Sequence, residues 1–269
     1  MMQQKKYFDN LEDFLKSSLE QHSILHINLN KNYIDDAGAS NLGFALSKCT
    51  NLSNLVLYLD GNQICDQGVL NIGSALGKCT NLSNLELCFD ENYIGDQGTS
   101  GLGYALASCT SLLNLTLCLN YNQIGNEGSS GLFSALVKYT NLSNLTLHLN
   151  GNYIGHDSTQ DLFSVLAKCI NLSNLTLNFG YNYICNEDVS GLGSALANCI
   201  NLSNLTLYLH YNQISDVGVS RLGFALAQCT NLQNLILQLE CNRFNKSEEL
   251  KIKSKYLKSK RLVAFKINF

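Results

Sequence analysis

The chain has 269 residues, 45% hydrophobic and 14% charged, with no Pro or Trp and a formal net charge of -3. The ample apolar fraction excludes a disordered chain, and Gly without a three-residue period excludes a collagen-like one. No apolar run approaches the roughly 20 residues that a membrane-spanning helix needs, and a slightly negative charge gives no general case for nucleic-acid binding.

In chain order, Met1–Phe8 (MMQQKKYF) lead into polar sequence rather than into an apolar signal core, so a cytoplasmic setting is expected. The stretch Asn10–Leu19 is amphipathic, with an Asn cap followed by Glu12 and Asp13. It predicts a helix that covers the start of the fold, within an N-terminal capping segment of residues 1–24.

A strict repeat of 30 residues follows over 25–244. Asn32, Asn62, Asn92, Asn122, Asn152, Asn182, Asn212 and Asn242 hold one register position, with Ile34 to Ile214 and then Phe244 two residues later. Ahead of each Asn, Leu alternates, as in Leu55-x-Leu57-x-Leu59, which predicts a strand with one buried face. Behind it stand a Gly (Gly38, Gly68, Gly98, Gly128, Gly218) and apolar residues four apart, such as Leu42 and Leu46, which predict a short helix with one buried stripe. Asp36, Asp66, Asp96 and Asp216 are expected to cap the first turns of their own helices. One strand and one helix per unit imply parallel strands joined by right-handed crossovers, and no unit can bury its Leu face alone.

Residues 245–269 lose the consensus but keep the register, with Ile252 and Tyr256 on the helix columns, and Phe265-x-Ile267-x-Phe269 reads as a ninth strand. Residues 246–269 carry a net charge of +6 against -9 for residues 1–245. This diverged basic unit is read as a polar terminal repeat, with contact to an acidic partner as the alternative, and its outer edge leaves room for a continuing chain.

The pattern L-x-L-x-x-N-x-I-x-x-x-G-x-x-x-L-x-x-x-L resembles the leucine-rich repeat in its long, ribonuclease-inhibitor-like form, from about Leu25 to Phe269. The unit differs in its 30-residue length, in an extra Leu-x pair, and in Ser158 and Asp188 at the Gly column. The resemblance implies an α/β leucine-rich-repeat solenoid: a curved horseshoe arc of about nine strands, with the parallel sheet on the concave face and helices on the convex face. It also implies an intracellular protein-binding scaffold rather than an enzyme. Its alternatives are a GTPase-activating or regulatory repeat protein, or the docking or sensor part of a larger signalling protein such as a kinase. The only arginines, Arg221, Arg243 and Arg261, fall off the open strand face by register.

No Walker loop, G-x-S-x-G, H-E-x-x-H or C-x-x-C is present, and neither catalytic residue, cofactor nor metal is expected. Cys49, Cys79, Cys109, Cys169, Cys199 and Cys229 occupy one helix-end column, with Tyr139 in the remaining place, and read as buried small hydrophobes. The Asn32-to-Asn242 column reads as structural, and the N-L-T sequons recur inside strands, where glycosylation is discounted. Binding residues are sought on the open strand face and its rim. Tyr58, Glu86, His148 and Tyr208 lie on that face. Asp60, Asp90 and Glu91 give the strand ends an acidic N-terminal half. Tyr121, Tyr181, His210 and Tyr211 make the C-terminal half aromatic. Cys88 and Cys118 share the row of His148 and are expected to be the readily labelled thiols. The expected partner is a folded protein, with the chain itself a monomer.

Overall fold

A computed structural model describes residues 5–244 and 263–268. The Ile252/Tyr256 register and the basic run from Lys246 to Arg261 lie outside the described residues.

The chain is a leucine-rich-repeat solenoid. Its elements run β1 (Lys5–Phe8), α1 (Leu11–Leu15), β2 (Ile24–Asn28), α2 (Asp36–Leu46), β3 (Asn54–Tyr58), α3 (Asp66–Leu76), β4 (Asn84–Cys88), α4 (Asp96–Leu106) and β5 (Asn114–Cys118). They continue with α5 (Asn126–Ala135), β6 (Asn144–His148), α6 (His156–Leu166), β7 (Asn174–Asn178), α7 (Asn186–Leu196), β8 (Asn204–Tyr208), α8 (Asp216–Leu226), β9 (Asn234–Gln238) and β10 (Ala264–Asn268). All ten strands form one parallel sheet in sequence order. Between β2 and β9 each residue pairs with the residue 30 further on, as Leu55 with Leu85 and Leu117 with Leu147. Parallel strands stack about 4.8 Å apart whereas packed helices need 8–10 Å, so the stack bends with its sheet on the inner side.

Among the described residues ten strands are present where the repeat alone predicts nine. The additional one is β1, which pairs with β2 through Lys5–Ile24 to Phe8–Ile27 and carries no repeat consensus. The N-terminal helix is shorter than its amphipathic stretch: it covers Leu11–Leu15 only, with Asn10 accepting from the Glu12 and Asp13 amides, and a 3-10 turn follows at Leu19–Gln21. Phe14 of this helix is fully buried, so the segment does seal the Leu core.

The core is built of Leu columns from strands β2–β9 and helices α2–α8, for example Leu57, Leu87, Leu117 and Leu147, each at most 1% exposed. The Asn column ties the repeats together. Asn92 donates through Nδ2 to the Leu59 and Phe89 carbonyls (2.9 and 3.1 Å) and accepts from the Ile64 amide at 3.0 Å. Each such Asn satisfies backbone groups of two repeats at the point where the chain leaves the strand.

The acidic helix-start column does not cap its own helix. Asp36 accepts from the Cys65 and Gly68 amides of the next repeat, and Asp96 from Gly125 and Gly128, at 2.7–2.9 Å. The cap therefore runs forward from one unit to the next, because Asp36 and Asp96 are already inside the first helical turn. The Gly column follows from the same contact: a Cβ at Gly98 would lie 2.6 Å from Asp66 Oδ1.

Candidate protein-binding face

Period two in the strands puts the side chains between the buried Leu positions on the open face. There the register aligns Tyr58, Cys88, Cys118, His148, Asn178, Tyr208 and Gln238 into one row. A second row, Asn54 to Asn234, whose facing the sequence leaves open, is a continuous amide ladder in which Asn84 Nδ2 donates to Asn54 Oδ1 at 2.7 Å and Asn114 donates to Asn84 in turn. These rows make the face regular and polar, with Tyr58 donating to Glu86 Oε1 at 3.0 Å. Burial and that carboxylate push the Tyr58 phenol up to about 12.

Of the two thiols of the row expected to be accessible, Cys118 is half-buried and Cys88 is buried. Cys88 is 6% exposed and its Sγ lies 2.9 Å from Cys118 Sγ, because neighbouring parallel strands aim these side chains side by side. Burial holds the neighbouring His148 imidazole below its ordinary range and hence neutral at neutral pH. Cys65 and Cys241, at the turns, are the exposed thiols.

At the strand ends the acidic residues carry structure. The backbone amide of Asp60 donates to Asn30 Oδ1, that of Asp90 to Asp60 Oδ1, and that of Asn120 to Asp90 Oδ1. Burial raises the carboxyls of both Asp60 and Asp90, partly offset by these bonds. Glu91, one residue further on, is exposed and stands at φ 55°.

That neighbouring column has a backbone demand of its own. Residues 31, 61, 91, 121, 151, 181, 211 and 241 all stand in the left-handed region, with Gly61 and Gly151 in two of the places. Tyr121, Tyr181 and Tyr211 adopt it with bulky side chains, at φ 51–53°. The left-handed conformation costs an L-residue about 1–2 kcal/mol, and such outliers cluster where a side chain serves function. The rings are exposed, 54% for Tyr121 and 46% for Tyr181 and Tyr211. Tyr181 and Tyr211 stack at 4.1 Å between centroids and 12° between planes, and His210 packs edge-on against Tyr181 at 5.5 Å and 86°. Burial lowers the His210 imidazole, against an upward pull from the Glu240 carboxylate. Tyr121 stands apart from that stack, its ring over Gly151, where a Cβ would lie 2.5 Å from Tyr121 Cδ1. Tyr208 stands on the face row between Asn178 and Gln238, and not at the rim.

The site gains two residues that sequence reasoning passed over. Tyr153 and Tyr183 follow the structural Asn152 and Asn182, are exposed, and line one shallow cleft with Tyr181 and Tyr211. The signal was present: the position after the Asn is Tyr in some repeats and Gln in others, variation that only an exposed position tolerates.

No family model and no curated protein matches the chain. Among solved structures it is similar to internalin C2 from Listeria monocytogenes (TM-score 0.53, 21% identity, covering 96% of this chain and 89% of that one). A second internalin from the same organism, inlF, covers 93% and 81% at 22% identity with a TM-score of 0.39. At these identities the likeness to internalin C2 speaks for the fold.

Proposed function

We propose that this chain is a protein-binding scaffold that receives a folded partner on its concave strand face, with the turn-side rim around Tyr181 and Tyr211 as the anchor. The observation that carries this reading is the Tyr181–Tyr211 stack: two exposed aromatic rings held in a backbone conformation for which Gly is the ordinary residue. Stiff aromatics offer large contact area at small entropic loss and dominate interface energetics. Tyr153 and Tyr183 extend the aromatic surface, His210 packs beside it, Tyr121 lies against Gly151 at its edge, and Tyr208 adds an aromatic on the strand face. Of the acidic residues, Glu86 and Glu91 remain to steer a basic feature of the partner, since Asp60 and Asp90 accept backbone amides. Nine strand spacings of about 4.8 Å give a face on the order of 40 Å, room for a standard interface of about 800 Å² per partner.

The helix in every complete repeat supports a place among ribonuclease-inhibitor-like repeats, and eleven free thiols support a reducing, cytoplasmic setting. The test is a comparison of partners recovered by the wild-type chain and by the Tyr181→Gly/Tyr211→Gly variant, followed by direct titration of the purified partner. The scaffold reading expects a protein that the wild type retains and the variant loses. A partner retained equally by both contradicts it.

A further inference from the structure

The forward-running cap between repeats fails at one junction, where it is replaced by something chemically different. The helix-start column reads Asp36, Asp66, Asp96, Asn126, His156, Asn186, Asp216, and the Gly column reads Gly38, Gly68, Gly98, Gly128, Ser158, Asp188, Gly218. Within these complete repeats the only His of the first column and the only acid of the second face each other across the same pair of repeats. His156 Nδ1 lies 2.9 Å from Asp188 Oδ1. Cys185, which precedes α7, brings a third donor, and the ligand atoms of the three all lie within 4.8 Å of one another. A fourth stands at hand in Glu187, whose Oε2 is 3.1 Å from Cys185 Sγ.

From this convergence we infer that His156, Cys185 and Asp188 form a binding site for a borderline divalent cation of the zinc class, with Glu187 or water in the fourth position. Imidazole, thiolate and carboxylate are the zinc donor types, and a tetrahedron with bonds of about 2.0–2.3 Å requires donors a little under 4 Å apart. Small side-chain rotations reach that spacing from the one observed. The supporting groups are in place. Asp188 is 1% exposed, accepts from the Thr159 hydroxyl at 2.5 Å and from the Cys185 amide at 2.7 Å, and so holds one fixed orientation. His156, 47% exposed by its side chain, leaves the site open to solvent for entry. On binding, Cys185 releases its proton to solvent and its sulfur bonds the metal, while the ligating nitrogen of His156, any proton on it also passing to solvent, exchanges its hydrogen bond to Asp188 for a bond to the ion.

The repeat supplies its own control. Ser215 holds the Cys185 column in the next unit, so Cys185→Ser is compatible with the fold, and the double substitution His156→Asp/Asp188→Gly restores the ordinary forward cap. Reduced protein is titrated with Co²⁺ and followed by absorption, then with Zn²⁺ in competition and by thermal unfolding. The site predicts a thiolate-to-cobalt charge-transfer band at one equivalent, its loss on adding Zn²⁺, and a thermal midpoint raised by Zn²⁺. Cys185→Ser should abolish the band. The consensus double variant should fold with a midpoint no lower than that of the metal-free wild type, yet bind at least about tenfold more weakly. A wild-type chain without the band overturns the site and leaves His156–Asp188 as a cap alone. A band that survives Cys185→Ser or the double substitution overturns it equally.

Discussion

The Tyr139 hydroxyl donates to the Leu106 carbonyl at 2.7 Å, the bond that Cys109 makes to Leu76 (3.3 Å) and Cys199 to Leu166 (3.2 Å) in other repeats. At Cys79, Cys109 and Cys199 the thiol column thus also supplies buried donors to the preceding unit, whereas Cys49, Cys169 and Cys229 donate within their own helix. At this repeat α5 ends at Ala135 and a 3-10 turn over Leu136–Lys138 leads into Tyr139. Tyr139→Phe keeps the volume and strips the donor from a buried carbonyl. Chemical denaturation should show a loss of about 1–3 kcal/mol, and an unchanged stability would mean that the bond is made to no effect.

Leu117 sits at the middle of the stack, 1% exposed and paired in register with Leu87 and Leu147. Leu117→Ala should cost roughly 2–5 kcal/mol through lost transfer energy and the residual cavity. A loss under about 1 kcal/mol by the same measurement would contradict the register.

Asp60 gives a pH dependence. Its carboxyl is raised by burial, with a further upward push from Asp90 and an offset from the Asp90 amide it accepts. A folded-state pKa above the unfolded one means that protonation favours the fold, so this group's contribution is present at low pH and lost as pH rises through the folded value. Asn30 and Asn120 hold the same ladder position, so Asp60→Asn keeps the acceptor and drops the charge. Its thermal midpoint should exceed that of the wild type at neutral pH, and the gap should close as pH falls through the carboxylate range. A constant gap would remove the charge from the account.

Thiol reactivity separates the surface from the core. Alkylation with a small reagent, read by peptide mass spectrometry, should modify Cys65 and Cys241 first, because they are exposed. Cys49, Cys109 and Cys199, whose thiols burial pushes up to about 12, should follow only on unfolding. Cys88 should lag with them, shielded against Cys118. Fast labelling of Cys109 would invert the inside and the outside of the repeat.

The fold was legible because each 30-residue unit states both periods, Leu at every second residue and Leu four apart, and register does the rest. Asn92 and its column could be read as structural for the same reason. What escaped were features that depend on two repeats at once. β1 carries no consensus and exists only by pairing with β2. Asp36 caps a neighbour's helix, so its spacing in one unit suggests the wrong partner. Cys88 alternates outward as expected, yet Cys118 closes over it. Of the candidate site, the sequence brought Tyr181, His210 and Tyr211 together in adjacent repeats, and the rings do meet. The left-handed backbone beneath them is invisible to alternation, although Gly61 and Gly151 in the same column carry the hint.

The central claim is that Tyr181 and Tyr211 are kept at the rim for binding rather than for stability. Replacing either by Gly relieves a strain of about 1–2 kcal/mol, loosens the unfolded chain by about 0.5–1 kcal/mol and removes a stack worth about 0.5–1.5 kcal/mol. These contributions nearly cancel. The decisive measurement is therefore the affinity of the recovered partner for Tyr211→Gly, taken beside the thermal midpoint of the variant. The account predicts binding weaker by about 1–3 kcal/mol, roughly 5- to 150-fold, with the midpoint almost unmoved. Normal binding by Tyr211→Gly and Tyr181→Gly, together with loss of binding on substituting Lys138 or Lys168 of the helix side, would place the partner on the convex surface and contradict it.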